Sequence, residues 1–388
     1  MSAYLDHAAA TPMRPEARDA WVAAVGELAN PSSIHGAGQH ARRVLEDARE
    51  AIARVLDADP IEVVFTSGGT ESINLALKGA WWSRGTDRDV IVLPDGEHHA
   101  TMDTVEWLRS QQGARVRPVP LSPEGRIEPA AFQAALGPDV VMSTALLANN
   151  EVGTLNPVAE LGTIAQAAGT PLHVDAVAGF GHLPLSFARM RGEGGAGIVA
   201  LSVSAHKIGG PPATGALVVS RSARLAALHH GGAAQRDLRA GTQDVAGAVA
   251  FAAAAEAMAA QRETEAAHDA ALRDRLREGI VAAVPQAEVL GAEERLPGNL
   301  HVLFPGASGE SLLYLLDRAG VAVSTGSACT AGIAEPSHVV RAMGRDERDA
   351  RSVLRFSVGR TSTAEDVDAV LANIAPAYAA ATGAARRS

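Results

Sequence analysis

A chain of 388 residues, 47% hydrophobic and 20% charged, is long enough for two or three domains with a sizeable core and too apolar to stay disordered. Its formal charge of −10 argues against a general nucleic-acid binder, which needs a basic stripe, and its single cysteine excludes an internal disulfide, which suits a reducing cytoplasm. Met1 to His7 shows no secretory signal pattern, and the longest apolar run, Val245 to Ala260, carries Glu256 and falls short of the roughly 20 apolar residues of a membrane-spanning helix.

Along the chain, an amphipathic helix is expected at Gln39–Leu56, where Val44, Leu45, Ala48, Ile52, Val55 and Leu56 recur at helical spacing between charged residues. Strands follow at Glu62–Thr66, Val90–Leu93, Arg115–Val119, Val140–Leu146, Leu172–Asp175, Ile198–Ser204 and Ala216–Ser220, with helical patterns between them. Such alternation predicts an α/β fold, a parallel or mostly parallel sheet covered by helices, which binds ligands beyond the carboxyl ends of its strands. From Gln243 to about Val284 the pattern is one long alanine-rich helix. Short strands come next at Asn299–Phe304, Val321–Ser324 and Leu354–Val358, with helices at Glu310–Ala319 and Ala364–Ala372 and a frayed tail at Thr382–Ser388. This predicts a large domain over 16–258 and a smaller α+β domain built from 1–15 and 259–388.

Chemistry-bearing residues fall in the loops after the strands. Thr66-Ser67-Gly68-Gly69-Thr70-Glu71-Ser72 opens a helix, where glycines and free N–H groups suit a phosphate; taken alone, an ordinary capped strand–helix turn explains it better. No Lys-Ser/Thr follows the glycines, so it is not a nucleotide P-loop. Lys207, in Ser204-Ala205-His206-Lys207, ends an apolar strand, where a dry pocket would lower its pKa and let it form a Schiff base; a snorkelling loop lysine is the alternative. Asp175 closes the strand Leu172–Asp175 and would meet a protonated pyridine nitrogen, unless it is a helix cap. Glu97-His98-His99 offers an imidazole to stack or move protons, or else a solvent-exposed helix start. Asn149-Asn150-Glu151-Val152-Gly153 offers side-chain amides, or else a common turn. Phosphate loop, strand-end aspartate and Schiff-base lysine in one α/β domain together point to pyridoxal phosphate.

From Tyr4-Leu5-Asp6-His7-Ala8-Ala9 to about Leu371 the sequence resembles the cysteine desulfurases of the aminotransferase class V group, fold-type I pyridoxal-phosphate enzymes. The most specific match is Ser324-Thr325-Gly326-Ser327-Ala328-Cys329-Thr330 followed by Glu335-Pro336-Ser337-His338, typical of the housekeeping and nitrogen-fixation type. The resemblance implies that Lys207 holds the cofactor and moves the substrate α-proton, that Asp175 pairs with the pyridine nitrogen, and that His98 stacks on the ring. It implies that Gly69, Thr70, Ser204 and His206 hold the phosphate, with Thr242 from the second subunit of a homodimer. Asn150 and Arg355 would bind L-cysteine, and Cys329 would take its sulfur as a persulfide for an acceptor protein, an iron–sulfur scaffold or a sulfur carrier. No metal, membrane or nucleic acid enters this scheme.

Four positions depart from the family pattern. Ala178 stands where the family usually has a glutamine that donates to the cofactor's phenolic oxygen, and Ala205 replaces the glycine before His-Lys. Gly231-Gly232-Ala233-Ala234-Gln235-Arg236 replaces a Gly-Gly-Gly-x-Glu-Arg stretch, and Ile73 replaces a polar residue. Loss of the amide predicts a slower or pathway-specialised desulfurase. Two alternatives stay open on sequence alone: a pyridoxal-phosphate lyase or aminotransferase for selenocysteine or cysteine sulfinate, which would not need Cys329, and a non-catalytic docking scaffold.

Overall fold

All seven strands expected in the first 220 residues join one sheet. The computed structural model describes residues 3–26, 29–192, 197–232, 234–327, 329–330 and 333–385. Ala233, Ala328, the tail beyond 385 and the side chain of Cys329 lie outside that description.

After a short strand β1 (Ala3–Tyr4), the sheet is built from β2 (Val63–Thr66), β3 (Val90–Pro94), β4 (Arg115–Val119), β5 (Val140–Leu146), β6 (Leu172–Asp175), β7 (Ile198–Ser204) and β8 (Gly215–Val219). Their spatial order is β2-β8-β7-β6-β5-β3-β4. Neighbours from β7 across to β4 are parallel, and only β8 runs against its two neighbours. The carboxyl ends of β2, β3, β5, β6 and β7 therefore share one edge. Strands β5 to β8 are buried at every residue, which is why their sequences are mostly apolar without a regular polar alternation. The first expected strand loses Glu62 to a single turn at Pro60–Glu62, where its buried carboxylate accepts from Asp59 N–H and pairs with Arg191.

The helix Val245–Ala283 belongs to two cores. Its first half places Phe251, Ala254, Ala255 and Met258 in the core under the main sheet. Its second half sends Leu272, Leu276 and Ile280 into a separate cluster with Leu5, Leu300, Phe304, Leu316, Phe356 and Ile374. That cluster covers an antiparallel sheet in which β10 (Asn299–Leu303) lies between β9 (Glu288–Leu290) and β14 (Val353–Ser357), and β1 pairs in parallel with β11 (Val321–Ala322). A hairpin of two two-residue strands, β12 (Cys329–Thr330) and β13 (Ile333–Ala334), sits between.

The last helix runs from Ala364 to Ala385, well beyond the expected Ala372 and into the tail read as frayed. Val367, Val370, Ile374, Ala377 and Ala381 continue one apolar stripe into the second core. Packing of that stripe overrides Pro376, which lies within the helix.

Candidate active site

The strand ends open onto a cavity of about 390 Å³. Gly69, Thr70, His98, Asn150, Asp175, His206 and Lys207 reach it from the loops after β2, β3, β5, β6 and β7. Its other wall comes from the N-terminal segment His7–Ala9 and from Ser324, Arg355 and Ser357.

Asp175 ends β6 with 2% exposure, and its Oδ1 accepts the Val177 N–H at 2.9 Å. Burial pushes its pKa up to about 6, against the lowering effects of that N–H and of the Lys207 charge. Lys207 follows β7 in the turn Ala205–Lys207, and its Nζ donates to the carbonyls of Ala8 and Ala9. Burial, with the charge of Arg355, brings its pKa down to about 8, while Asp6 and Asp175 pull it back up. An amine in that range is neutral often enough at ordinary pH to act as a nucleophile or base.

His98 caps the helix His99–Gln112, its Nδ1 accepting from Ala100 N–H at 3.0 Å. It is an exposed histidine at a helix start and also lines the cavity. Desolvation and the nearby Lys207 charge bring its pKa down to about 4, so the ring is neutral and its proton sits on Nε2. His206 is likewise brought to about 4 by burial, with Nδ1 2.7 Å from Ser204 Oγ.

The phosphate-type turn depends on glycine. Gly68 has φ of +143°, and a Cβ on Gly69 would stand 2.6 Å from Val177 Cγ2. The helix Gly69–Trp82 can start this close to β6 only without a side chain, and its first-turn N–H groups have no acceptors within the helix. Thr70 lines the cavity; Ser204 lies just behind the turn, its Oγ 3.8 Å from where a Gly68 Cβ would be.

Arg355, 5% exposed, donates through Nη1 to the Asn150 carbonyl and through Nη2 to Asp6, both at 2.9 Å. Its Nε and the Asn150 Oδ1 are buried without partners, as are both side-chain polar atoms of Asn299 in the same wall. Orphaned donors and acceptors around one cavity are the mark of a polar ligand's place.

One expected residue stands apart, and the side chain of another, Cys329, lies outside the described residues. Thr242 is exposed in the turn before the long helix and does not line this chain's cavity. Cys329 has its backbone in β12, paired with Ala334. Sequence reasoning committed neither Asp6 nor Glu97 to the site. Glu97 is 1% exposed, its Oε1 accepts Leu146 N–H at 2.7 Å, and Oε2 has no partner. Burial and the neighbouring Asp175 push its pKa up to about 8. A carboxylate directly after a buried strand and before His98 was the available signal.

The departures from the family pattern have structural settings. Ala178, Val177, Ile73 and Leu146 form an apolar stretch of the cavity wall. Ala205 is fully buried against Gly210, where a Cβ would come within 2.8 Å of its own. Gln235 brackets the edge strand β2: its Oε1 accepts Phe65 N–H at 2.7 Å and its Nε2 donates to Phe65 O at 3.0 Å.

A strand-end carboxylate, a lysine of lowered pKa, a helix-start anion cradle and a buried guanidinium could together hold a pyridine phosphate and an amino-acid carboxylate. The aminotransferase class-V family model matches residues 3–370. The chain is 47% identical over 390 residues to an IscS-like cysteine desulfurase of Mycobacterium tuberculosis, covering 99% of this chain and 98% of that one. It is 38% identical over 370 residues to cysteine desulfurase IscS of Methanosarcina thermophila, covering 95% and 90%. Among solved structures it is similar to a NifS-like protein with a TM-score of 0.89 and 33% identity, covering 97% and 99% of the two chains.

Proposed function

This chain belongs to the aminotransferase class-V family, as a cysteine desulfurase of fold type I, and from that premise we propose how its residues divide the work. The observation that carries the proposal is the convergence of Asp175, Lys207 and Arg355 on one cavity whose polar atoms are partly unsatisfied. Pyridoxal phosphate fits that donor set: Asp175 suits the pyridine nitrogen, Lys207 the covalent anchor, His98 the ring, and Gly69, Thr70, Ser204 and His206 the phosphate. Thr242 of a second copy would complete the phosphate site in a homodimer. When bound, the cofactor supplies a sink for the electron pair left at the substrate α-carbon.

Arg355, whose Nε donor is without a partner, holds the carboxylate of L-cysteine, and Asn150, whose Oδ1 is an open acceptor, helps hold the substrate. Lys207, neutral above about pH 8, takes the α-proton. The thiolate of Cys329 attacks the substrate sulfur: a sulfur–sulfur bond forms and the carbon–sulfur bond breaks. The electron pair stays with carbon and is protonated, so alanine leaves and Cys329 keeps the sulfur as a persulfide. An acceptor protein, an iron–sulfur scaffold or a sulfur carrier, then removes it.

The apolar wall at Ala178 supports a desulfurase specialised for one pathway, since no amide reaches the cavity from that position. The two hydrophobic cores support a large unit over 16–258 and a smaller one from 1–15 and 259–388. No helix among the described residues is long and apolar enough to cross a membrane, and a cytoplasmic site of action suits a persulfide.

The deciding experiment measures alanine and sulfide from L-cysteine with cofactor-loaded protein and a thiol reductant. Equal alanine and sulfide from the parent, with none from Cys329→Ser, is expected. Undiminished turnover by Cys329→Ser would instead assign a lyase that attacks other amino acids without this thiol.

A further inference from the structure

The segment Ser324 to His338 carries Cys329, and its two ends meet on one buried carboxylate. Glu151 is 1% exposed, on the turn after β5. At the far end of the segment, Ser337, which is fully buried, donates its hydroxyl to Glu151 Oε2. At the near end Gly326, with φ of +86°, packs so closely that a Cβ there would lie 3.0 Å from His301 Cε1 and 3.5 Å from Glu151 Cγ. His301 in turn is tied through Nδ1 to the Glu151 carbonyl at 3.0 Å.

The ends are also joined directly, by Ser327 Oγ donating to the Glu335 carbonyl at 3.0 Å. Beyond Ser337 the chain is locked, because the same hydroxyl accepts Val340 N–H at 3.0 Å and Val339 and Val340 enter a buried cluster with Val152. His338 Nε2 donates to the Glu97 carbonyl at 2.9 Å, which ties this end to the loop bearing His98. The Glu151 turn is itself fixed: Asn149 Oδ1 accepts the N–H groups of Glu151 and Val152, and its Nδ2 donates to Gly96 O.

We propose that Glu151 is a positioning residue, a clasp that holds both ends of the cysteine-bearing segment and so sets where the Cys329 hairpin stands relative to the cavity. A buried carboxylate needs hydrogen-bond donors, and Ser337 is one the segment itself provides. The assignment rests on the reading of Cys329 as sulfur acceptor, but the clasp is testable without it. The side chains of Arg355 and Asn150, which would hold the substrate, bond to neither Glu151 nor Ser337, although the Arg355 backbone pairs with Ser324 where the segment begins.

The test uses the cofactor-loaded protein and its only cysteine. Iodoacetamide alkylation, followed by intact mass without substrate, reads Cys329 alone. Ser337→Ala is expected to alkylate at least about fivefold faster than the parent, because the segment loses its anchor, with Ser337→Thr within about twofold of the parent. With L-cysteine, Ser337→Ala should lose about tenfold or more in kcat while KM stays within about twofold, since misplacing the attacking sulfur leaves substrate binding intact. Glu151→Gln, which keeps an acceptor but no charge, should fall between parent and Ser337→Ala in both readouts. Equal alkylation rates for parent and Ser337→Ala would overturn the clasp, as would a loss confined to KM. If the parent makes no alanine, the desulfurase reading fails and the alkylation rates still decide the clasp.

Discussion

Asp6 and Arg355, 349 positions apart, form a 2.9 Å ion pair at the cavity wall. With Nη1 held by the Asn150 carbonyl, the pair fixes the plane of the guanidinium and leaves Nε free. The N-terminal segment thus helps to shape the site from its far side, and the same segment receives Lys207 Nζ on the carbonyls of Ala8 and Ala9. Replacing Asp6 by Asn keeps an acceptor but removes the charge that orients the fork. KM for L-cysteine should rise about three- to tenfold, with a smaller change in kcat. Steady-state kinetics decide it, and a KM at or below the parent value would show that Asp6 competes with substrate rather than positioning Arg355.

The same pair adjusts a lysine whose pKa burial lowers first. Arg355 lowers the Lys207 pKa and Asp6 raises it, around a value of about 8. Only the neutral amine can attack an aldehyde, so covalent cofactor capture by cofactor-free protein should accelerate with pH through about 8. Arg355→Gln removes a cation and should move that midpoint up; Asp6→Asn removes an anion and should move it down. The pH dependence of the visible absorbance change on adding pyridoxal phosphate measures both. An unchanged midpoint in both variants would mean that burial alone governs Lys207.

Glu97 makes a prediction about stability. Its ordinary pKa of 4.5 is pushed up to about 8 in the folded chain by burial and by Asp175. Between those values the folded state binds more protons than the unfolded one, so stability falls as pH rises from 4.5 to 8. Glu97→Gln mimics the neutral form and should flatten that slope, with the largest gain over the parent near pH 8 and little difference near pH 5. Thermal midpoints at the two pH values check it; parallel curves for parent and variant would show that Glu97 is charged in the fold.

The buried strands were legible because buried parallel strands are written as compact runs rich in β-branched and other apolar residues, and β5, β6 and β7 begin and end where those runs do. The loops after them were legible only in combination, because glycine or aspartate alone at a strand end is an ordinary turn or cap residue. The Asp6–Arg355 pair was not, since nothing local in Asp6 marks a partner 349 residues away. Glu97 and Glu151 were visible within motifs but not as buried carboxylates, because burial is set by tertiary packing. The end of the last helix was misplaced for a similar reason: the helix continues through Pro376 because an apolar stripe reaching Ala381 packs into the second core.

Gln235 shows how a departure from the family pattern can belong to the fold. Strand β2 is an edge of the main sheet, with only β8 beside it, and its Phe65 would present both backbone groups to nothing on the open side. The Gln235 amide pairs with both, donating to Phe65 O and accepting Phe65 N–H, and Arg49 Nη1 adds a third bond at 3.2 Å. Removing the amide in Gln235→Ala should cost about 2 kcal/mol, because two backbone groups lose their partner at once. Gln235→Glu keeps the acceptor and faces Arg49, but turns an oxygen toward the Phe65 carbonyl, and should fall between. Because β2 runs directly into Gly68, Gly69 and Thr70, the alanine variant should also hold pyridoxal phosphate more weakly. Urea unfolding and cofactor retention on dialysis measure the two effects, and a fully stable Gln235→Ala would mean that water serves the Phe65 edge as well as the amide does.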